Sequence, residues 1–137
     1  LRMVEELVEF QPAEIGLADT IGIAGPGQVS RLFSRIRERF PQVKLRAHSP
    51  DTRNTGIANA YAAILSGVDT IDSSIGGIGG CPFAPKATGN IATEDLLYML
   101  EKSGVDHGIE SPVVIKTAKW LEQVLGKSLP SSILQVG

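Results

Sequence analysis

The chain has 137 residues, 42% of them hydrophobic, with a formal net charge of -2 and one cysteine. The single thiol excludes an internal disulfide framework, and the mild acidity argues against a nucleic-acid surface. No apolar run approaches the roughly 20 residues of a membrane-spanning helix, so the pattern is that of a globular chain long enough for one core.

The first stretch, with Met3, Val4, Leu7 and Val8 at helical spacing, predicts a helix that ends before Pro12. Residues 15–19 read as a short strand closing on Asp19-Thr20 and a glycine turn. Pro26 suits the first turn of a helix whose buried stripe is Val29, Leu32, Phe33, Ile36 and Phe40, closed by Pro41. Arg31, Arg35, Arg37 and Arg39 interleave with that stripe as a solvated face does. A second strand over 44–47 ends in His48. Thr55 or Asn54 is the expected cap of a helix through Ile57, Tyr61, Ile64 and Leu65, stopped by Gly67.

A third strand is expected over 68–73, running into the Gly76–Gly80 loop. Thr93 is the expected cap of a fourth helix, with Glu94 and Asp95 complementing its dipole and Gly104 ending it. Ser111-Pro112 opens a last helix, with Val114, Ala118, Leu121 and Leu125 on one face and Gly126 as its stop; the tail from Lys127 is unassigned. Strands alternating with helices mean parallel β/α units. Asp19, His48 and Asp72-Ser73-Ser74 all fall where a strand gives way to its loop, which in β/α barrels is the catalytic rim. The fold class expected is therefore α/β, a partial TIM (β/α)8 barrel of about three parallel β/α units plus a C-terminal helix. A whole barrel needs eight units and about 250 residues.

Chemistry concentrates on Gly76-Gly77-Ile78-Gly79-Gly80-Cys81-Pro82, with Asn90 further along. Structural cysteines usually sit inside apolar helices or strands, whereas Cys81 stands on a loop that glycine makes pliable and Pro82 turns. An inert role stays open on residue type alone. A neutral imidazole and a carboxamide oxygen are both able to ligate a divalent cation, which makes His48 and Asn90 candidate ligands; a structural His and a turn-forming Asn are the competing readings. Asp19 with Thr20 and Gly22 reads equally as a turn or a cap.

These residues resemble the 3-hydroxy-3-methylglutaryl-CoA lyase family of metal-dependent TIM-barrel lyases. The likeness runs from about Glu14 to Ile109. It rests on Asp19-Thr20-Ile21-Gly22, on His48 followed by Asp51-Thr52, on Asp72-Ser73-Ser74, and on Gly77-Ile78-Gly79-Gly80-Cys81-Pro82-Phe83-Ala84 continuing to Gly89-Asn90-Ile91-Ala92-Thr93-Glu94-Asp95. Condensing synthases of the same superfamily carry Glu-Arg where this chain has Gly80-Cys81. The resemblance implies metal-assisted retro-Claisen cleavage of an acyl-CoA substrate, 3-hydroxy-3-methylglutaryl-CoA, to acetyl-CoA and acetoacetate, as in leucine degradation and ketone-body metabolism. By the same resemblance His48 and Asn90 are ligands of Mg²⁺ or Mn²⁺, His48 also moves a proton, Cys81 is an acid or base beside the departing enolate, and Asp19 is a further active-site acid. A cytoplasmic location is expected, or the mitochondrial matrix in a eukaryote.

The chain departs from this pattern twice. The family's pair is His-x-His, and here it is His48-Ser49-Pro50, so Pro50 stands where a second ligand is expected and carries no donor atom. The family's first-strand Arg-Asp pair is not in this sequence. Residues 1–137 are therefore expected to be the carboxyl-terminal portion of an HMG-CoA lyase-like barrel, needing a missing N-terminal half-barrel or a second copy. On its own the chain is expected to bind metal poorly and to be inactive. The competing readings are a catalytically silent acyl-CoA-binding remnant, a structural piece that assembles with a partner, and a related aldolase or Claisen-condensing enzyme. Neither a nucleic acid nor a membrane is expected as a partner.

Overall fold

In a computed structural model that describes residues 1–81 and 84–136, with residues 81 and 84–88 described by their backbone alone, helices and short strands alternate from the first residues onward. Helix α1 (Arg2–Val8) leads into strand β1 (Ile15–Ala18) and helix α2 (Pro26–Arg39), then strand β2 (Leu45–His48) and helix α3 (Gly56–Leu65). Strand β3 (Thr70–Ile71) is followed by a 3-10 turn (Ile75–Gly77) and an antiparallel hairpin of β4 (Gly80–Cys81) and β5 (Ala84–Thr88). Helices α4 (Thr93–Lys102), α5 (Ser111–Leu125) and α6 (Ser132–Val136) complete the chain.

The three central strands lie in the order β1-β2-β3, all parallel, with Ile15 paired to Leu45, Ala18 to His48, and Arg46 to Thr70. The expected class therefore holds: three parallel β/α units of a barrel, followed by C-terminal helices. Because side chains alternate along a strand, Ile15, Leu45 and Ala47 point to the helices and join a core with Val29, Phe33, Ile36 and Ala63. A second core of Ala60, Ile91, Leu96, Leu97 and Leu100 joins α3 to α4. On the other face of the strands Gly16 and Ala18 are exposed, while Arg46 and His48 are half-buried. That polar, open face is the one an intact barrel turns to its lumen.

Several boundaries differ from the sequence expectation for identifiable reasons. β3 is confined to two residues, although the ladder continues on either side through Asp69 N–H to Leu45 O at 2.9 Å and Asp72 N–H to Ala47 O at 3.0 Å. Thr55 occupies the N-cap position of α3, as expected, but its side chain makes no capping bond; Gly56 N–H donates instead to Asp51 Oδ1 at 2.8 Å, and Asn54 turns the chain in the left-handed region at φ 55°. Thr93 is the first residue of α4 rather than its cap, and its hydroxyl pairs with that of Ser73 at 2.9 Å. The unassigned tail forms α6, whose start is held by Asp95 through Ser132 N–H and Ile133 N–H, both at 2.9 Å.

Of the basic run, Arg39 pairs with Glu5 of α1 at 2.8 Å, and Arg37 makes the larger set of contacts. Its guanidinium reaches the carbonyls of Pro41, Val43 and Gly67 and the carboxylate of Asp69 at 2.6 Å, pinning the end of α2 to the entries of β2 and β3. Asp69 also accepts from Leu45 N–H at 2.8 Å, and that backbone bond, with Arg37 adding to it, holds its carboxyl below the ordinary range. A depressed carboxyl stabilises the fold above its unfolded pKa of about 3.9 and loses that contribution as pH falls through the folded value. Because the side chain is 40% exposed, solvent screening discounts the effect. Asp69→Asn is expected to lower stability at neutral pH by about 1 kcal/mol and to flatten the acid limb. Urea unfolding at neutral and acid pH checks this, and equal acid slopes in the two proteins would refute it.

Candidate active site

A cavity of about 250 Å³ opens at the carboxyl ends of β1 and β2, walled by Ala18, Thr20, His48, Pro50, Gly80, Gly89 and Asn90. His48 is the last residue of β2, on the lumenal face. Asn90 is brought to it by the glycine hairpin: its backbone makes an antiparallel bridge to Pro50, and Asp51 N–H reaches Gly89 O at 3.4 Å. The Asn90 amide nitrogen donates to Ile78 O at 3.0 Å, and a Cβ on Gly79 would lie 2.7 Å from that nitrogen. Glycine there allows the close approach. With its nitrogen committed, Asn90 keeps its carbonyl oxygen without a partner among the described residues.

Below the cavity a polar chain crosses all three strands. Thr70 Oγ1 donates to Glu14 Oε1 at 2.6 Å, Arg46 Nε donates to Glu14 Oε2 at 2.6 Å, and Arg46 Nη1 donates to Asp72 Oδ1 at 2.6 Å. Asp72 Oδ2 then lies 3.5 Å from His48 Nδ1. The Thr70 hydroxyl, and after it Arg46, hold the Glu14 carboxyl below its usual range, while Glu14 and then Asp72 raise the arginine. Sequence reasoning passed over Arg46 and Glu14. The available signal was position, since a charge two residues before His48 must share its face of the strand.

The other site residues fall as follows. Asp19 Oδ1 accepts from Ile23 N–H at 3.1 Å and its Oδ2 from Ala24 N–H at 2.8 Å, so its carboxylate shapes the loop after β1, the turn-forming arrangement that its neighbours Thr20 and Gly22 also suggest. Cys81 contributes backbone to β4 directly after Gly80 of the cavity wall, while its side chain, like Pro82 and Phe83, lies outside the described residues. Glu94, read from sequence only as a dipole-complementing residue, is 2% exposed and accepts from Gly76 N–H on both oxygens, at 2.9 and 3.0 Å. Burial pushes its carboxyl up. It anchors the turn from which the glycine run departs.

Of the side chains on this wall, His48 and Asn90 carry the donor atoms expected of cation ligands. Hard divalent cations take about six ligands. Pro50 offers none, Asp51 Oδ1 is occupied by Gly56 N–H, and no group of three or more His, Cys, Asp or Glu forms a metal cluster among the described residues. These residues do not fit a resident cation by themselves.

The HMGL-like family model matches residues 1–121. The hydroxymethylglutaryl-CoA lyase of Bacillus subtilis is 43% identical over 99% of this chain and 46% of its own length. The (R)-citramalyl-CoA lyase of Chloroflexus aurantiacus is 45% identical over 98% of this chain and 43% of its own length. A crystal structure of an HMG-CoA lyase from Acinetobacter baumannii with coenzyme A and 3-methylmalate superposes with a TM-score of 0.91 at 39% identity, covering 99% of this chain and 45% of that one. The chain thus spans just under half the length of the curated relatives it matches.

Proposed function

This chain belongs to the HMGL-like family, and from that premise we propose that it supplies one wall of the active site of a carbon–carbon lyase acting on a 3-hydroxyacyl-CoA thioester, as the carboxyl-terminal portion of a larger barrel. The observation that carries the reading is the shared cavity: His48 from β2 and Asn90 from the glycine hairpin face one space, with the backbone beside Cys81 forming part of its wall. The coenzyme A held by the Acinetobacter baumannii structure supports a thioester substrate.

In this reading His48 takes the proton of the substrate's 3-hydroxyl. The C2–C3 bond breaks as the C3 oxygen becomes a carbonyl, the electron pair passes to the acetyl-CoA enolate, and the Cys81 thiol returns a proton to its carbon. A thiol with an ordinary pKa of about 8.5 is a competent donor to a carbanion. Asn90 orients the substrate's oxygens. Asp19 keeps the loop over the cavity in register. Mg²⁺ or Mn²⁺ would need donors from outside this chain.

The Chloroflexus relative favours a second acyl group at the same site, because its 45% identity is on a par with the 43% of the Bacillus relative. A chimera separates the two: this chain replaces the segment it matches in the Bacillus subtilis lyase, and acetyl-CoA release is followed from 3-hydroxy-3-methylglutaryl-CoA and from (R)-citramalyl-CoA. Turnover of the first is the expected result. Preference for the second reassigns the substrate, and a folded chimera that cleaves neither thioester rejects the lyase reading.

A further inference from the structure

We propose that Asp72, steadied by Arg46, fixes His48 as the Nδ1–H tautomer and thereby commits the lone pair of Nε2 to the cavity. The register requires the juxtaposition. Arg46 pairs with Thr70 and Ala47 with Ile71, so the next step of the ladder, carried by Asp72 N–H to Ala47 O at 3.0 Å, sets Asp72 opposite His48. Arg46 and His48, two apart on β2, share the face that Asp72 occupies.

A carboxylate only accepts hydrogen bonds. Asp72 Oδ2 at 3.5 Å from Nδ1 therefore favours a proton on that nitrogen and opposes a bare lone pair there, although at this distance the contact is electrostatic rather than a closed hydrogen bond. Arg46 keeps the carboxylate in that pose by holding its other oxygen at 2.6 Å, and Arg46 is itself held by Glu14, whose second oxygen is occupied by Thr70. A fixed partner on one ring nitrogen decides what the other nitrogen does. Arg46 and Asp72 are thus positioning residues for His48, and a helix-facing residue at 46 or 72 would not serve.

The chain carries its own reference. His107, its only other histidine, accepts at Nδ1 from Ile109 N–H at 3.1 Å and turns Nε2 toward Glu101 at 3.5 Å, which assigns it the opposite tautomer. The inference rests on the reading of His48 as a cavity-facing group, yet its readout needs no turnover. Long-range ¹H–¹⁵N correlation of the imidazole nitrogens, recorded on the ¹⁵N-labelled chain in alkaline solution without added metal, reports both rings, with His107→Gln making the assignment. Nδ1–H at His48 beside Nε2–H at His107 is the expected result.

In Asp72→Ala the ratio of Nδ1–H to Nε2–H at His48 should fall about tenfold, a value discounted for side chains that are 40% and 34% exposed; His107 should stay unchanged. Arg46→Met should move His48 the same way by less. An Nε2–H tautomer at wild-type His48 overturns the proposal, as does an unchanged ratio in Asp72→Ala. Should Asp72→Ala disturb His107 as well, the wild-type tautomer and Arg46→Met decide the matter. An inactive chimera whose His48 keeps Nδ1–H would reject the lyase reading and leave this one standing.

Discussion

Gly76→Ala is expected to destabilise the chain by about 3 kcal/mol, against about 1 kcal/mol for Gly104→Ala, although both glycines lie in the left-handed region. Gly76 has φ +65° and Gly104 φ +70°, so the conformational penalty of a Cβ is shared by the two sites. The surroundings differ. A Cβ on Gly104 meets nothing within 4 Å, whereas one on Gly76 would lie 2.2 Å from Leu129 Cδ1, 3.0 Å from its Cβ and 3.1 Å from its Cγ. Rotating the leucine methyl does not clear three atoms, and Leu129 is only 2% exposed.

Alanine keeps the Gly76 N–H that both Glu94 oxygens accept, so the comparison isolates the packing clash. Urea unfolding measures the difference. The double variant Gly76→Ala with Leu129→Ala should cost less than the sum of its parts, because the truncated leucine vacates the space that the new methyl enters. Equal losses at Gly76 and Gly104 would show that the tail does not press on the turn.

Gly76 also marks where the sequence ceased to be legible. The β/α alternation was readable because each element repeats a period: Val29, Phe33 and Ile36 at helical spacing, and Leu45 and Ala47 at strand spacing. Elements without a period were not. α6 is five residues, and it is organised by Asp95 from a helix more than thirty residues earlier; a capping carboxylate that distant has no local signature. The β4–β5 hairpin is drawn from a glycine-rich run whose composition reads as a loop, yet it pairs Gly80 with Thr88 and delivers Asn90 to Pro50.

Polar roles divide along the same line. His48 and Asn90 were legible as candidates because imidazoles and carboxamides at strand ends are chemically conspicuous. Glu94 and Arg46 were not, because each residue type is common on helices or strands and only the tertiary partner reveals the task. Asp51 shows the reverse case, a residue noted for its motif that the fold spends on capping Gly56. Burial does not separate these outcomes, since Glu94 is 2% exposed and the Arg46 side chain 42%; what Glu94 and Arg46 share is a partner on another element.

The same wall argues for the second large effect. In the Bacillus chimera Pro50→His is expected to tighten Mn²⁺ binding by about 100-fold or more, since even loss of an outer-sphere partner costs roughly 10–100-fold and this change supplies a direct donor. Position 50 lines the cavity with His48 and is held against Asn90 by the backbone bridge, so an imidazole there would meet both. The isolated chain, with two donors, should bind Mn²⁺ weakly in a calorimetric titration, and a dissociation constant in the low micromolar range would contradict the incomplete donor set. His48→Ala in the same chimera should remove both a donor and the proton acceptor, lowering turnover by about 10²–10⁴-fold. If Pro50→His leaves Mn²⁺ affinity unchanged while His48→Ala abolishes cleavage, the imidazole of residue 48 acts on the substrate's proton without a metal partner at residue 50.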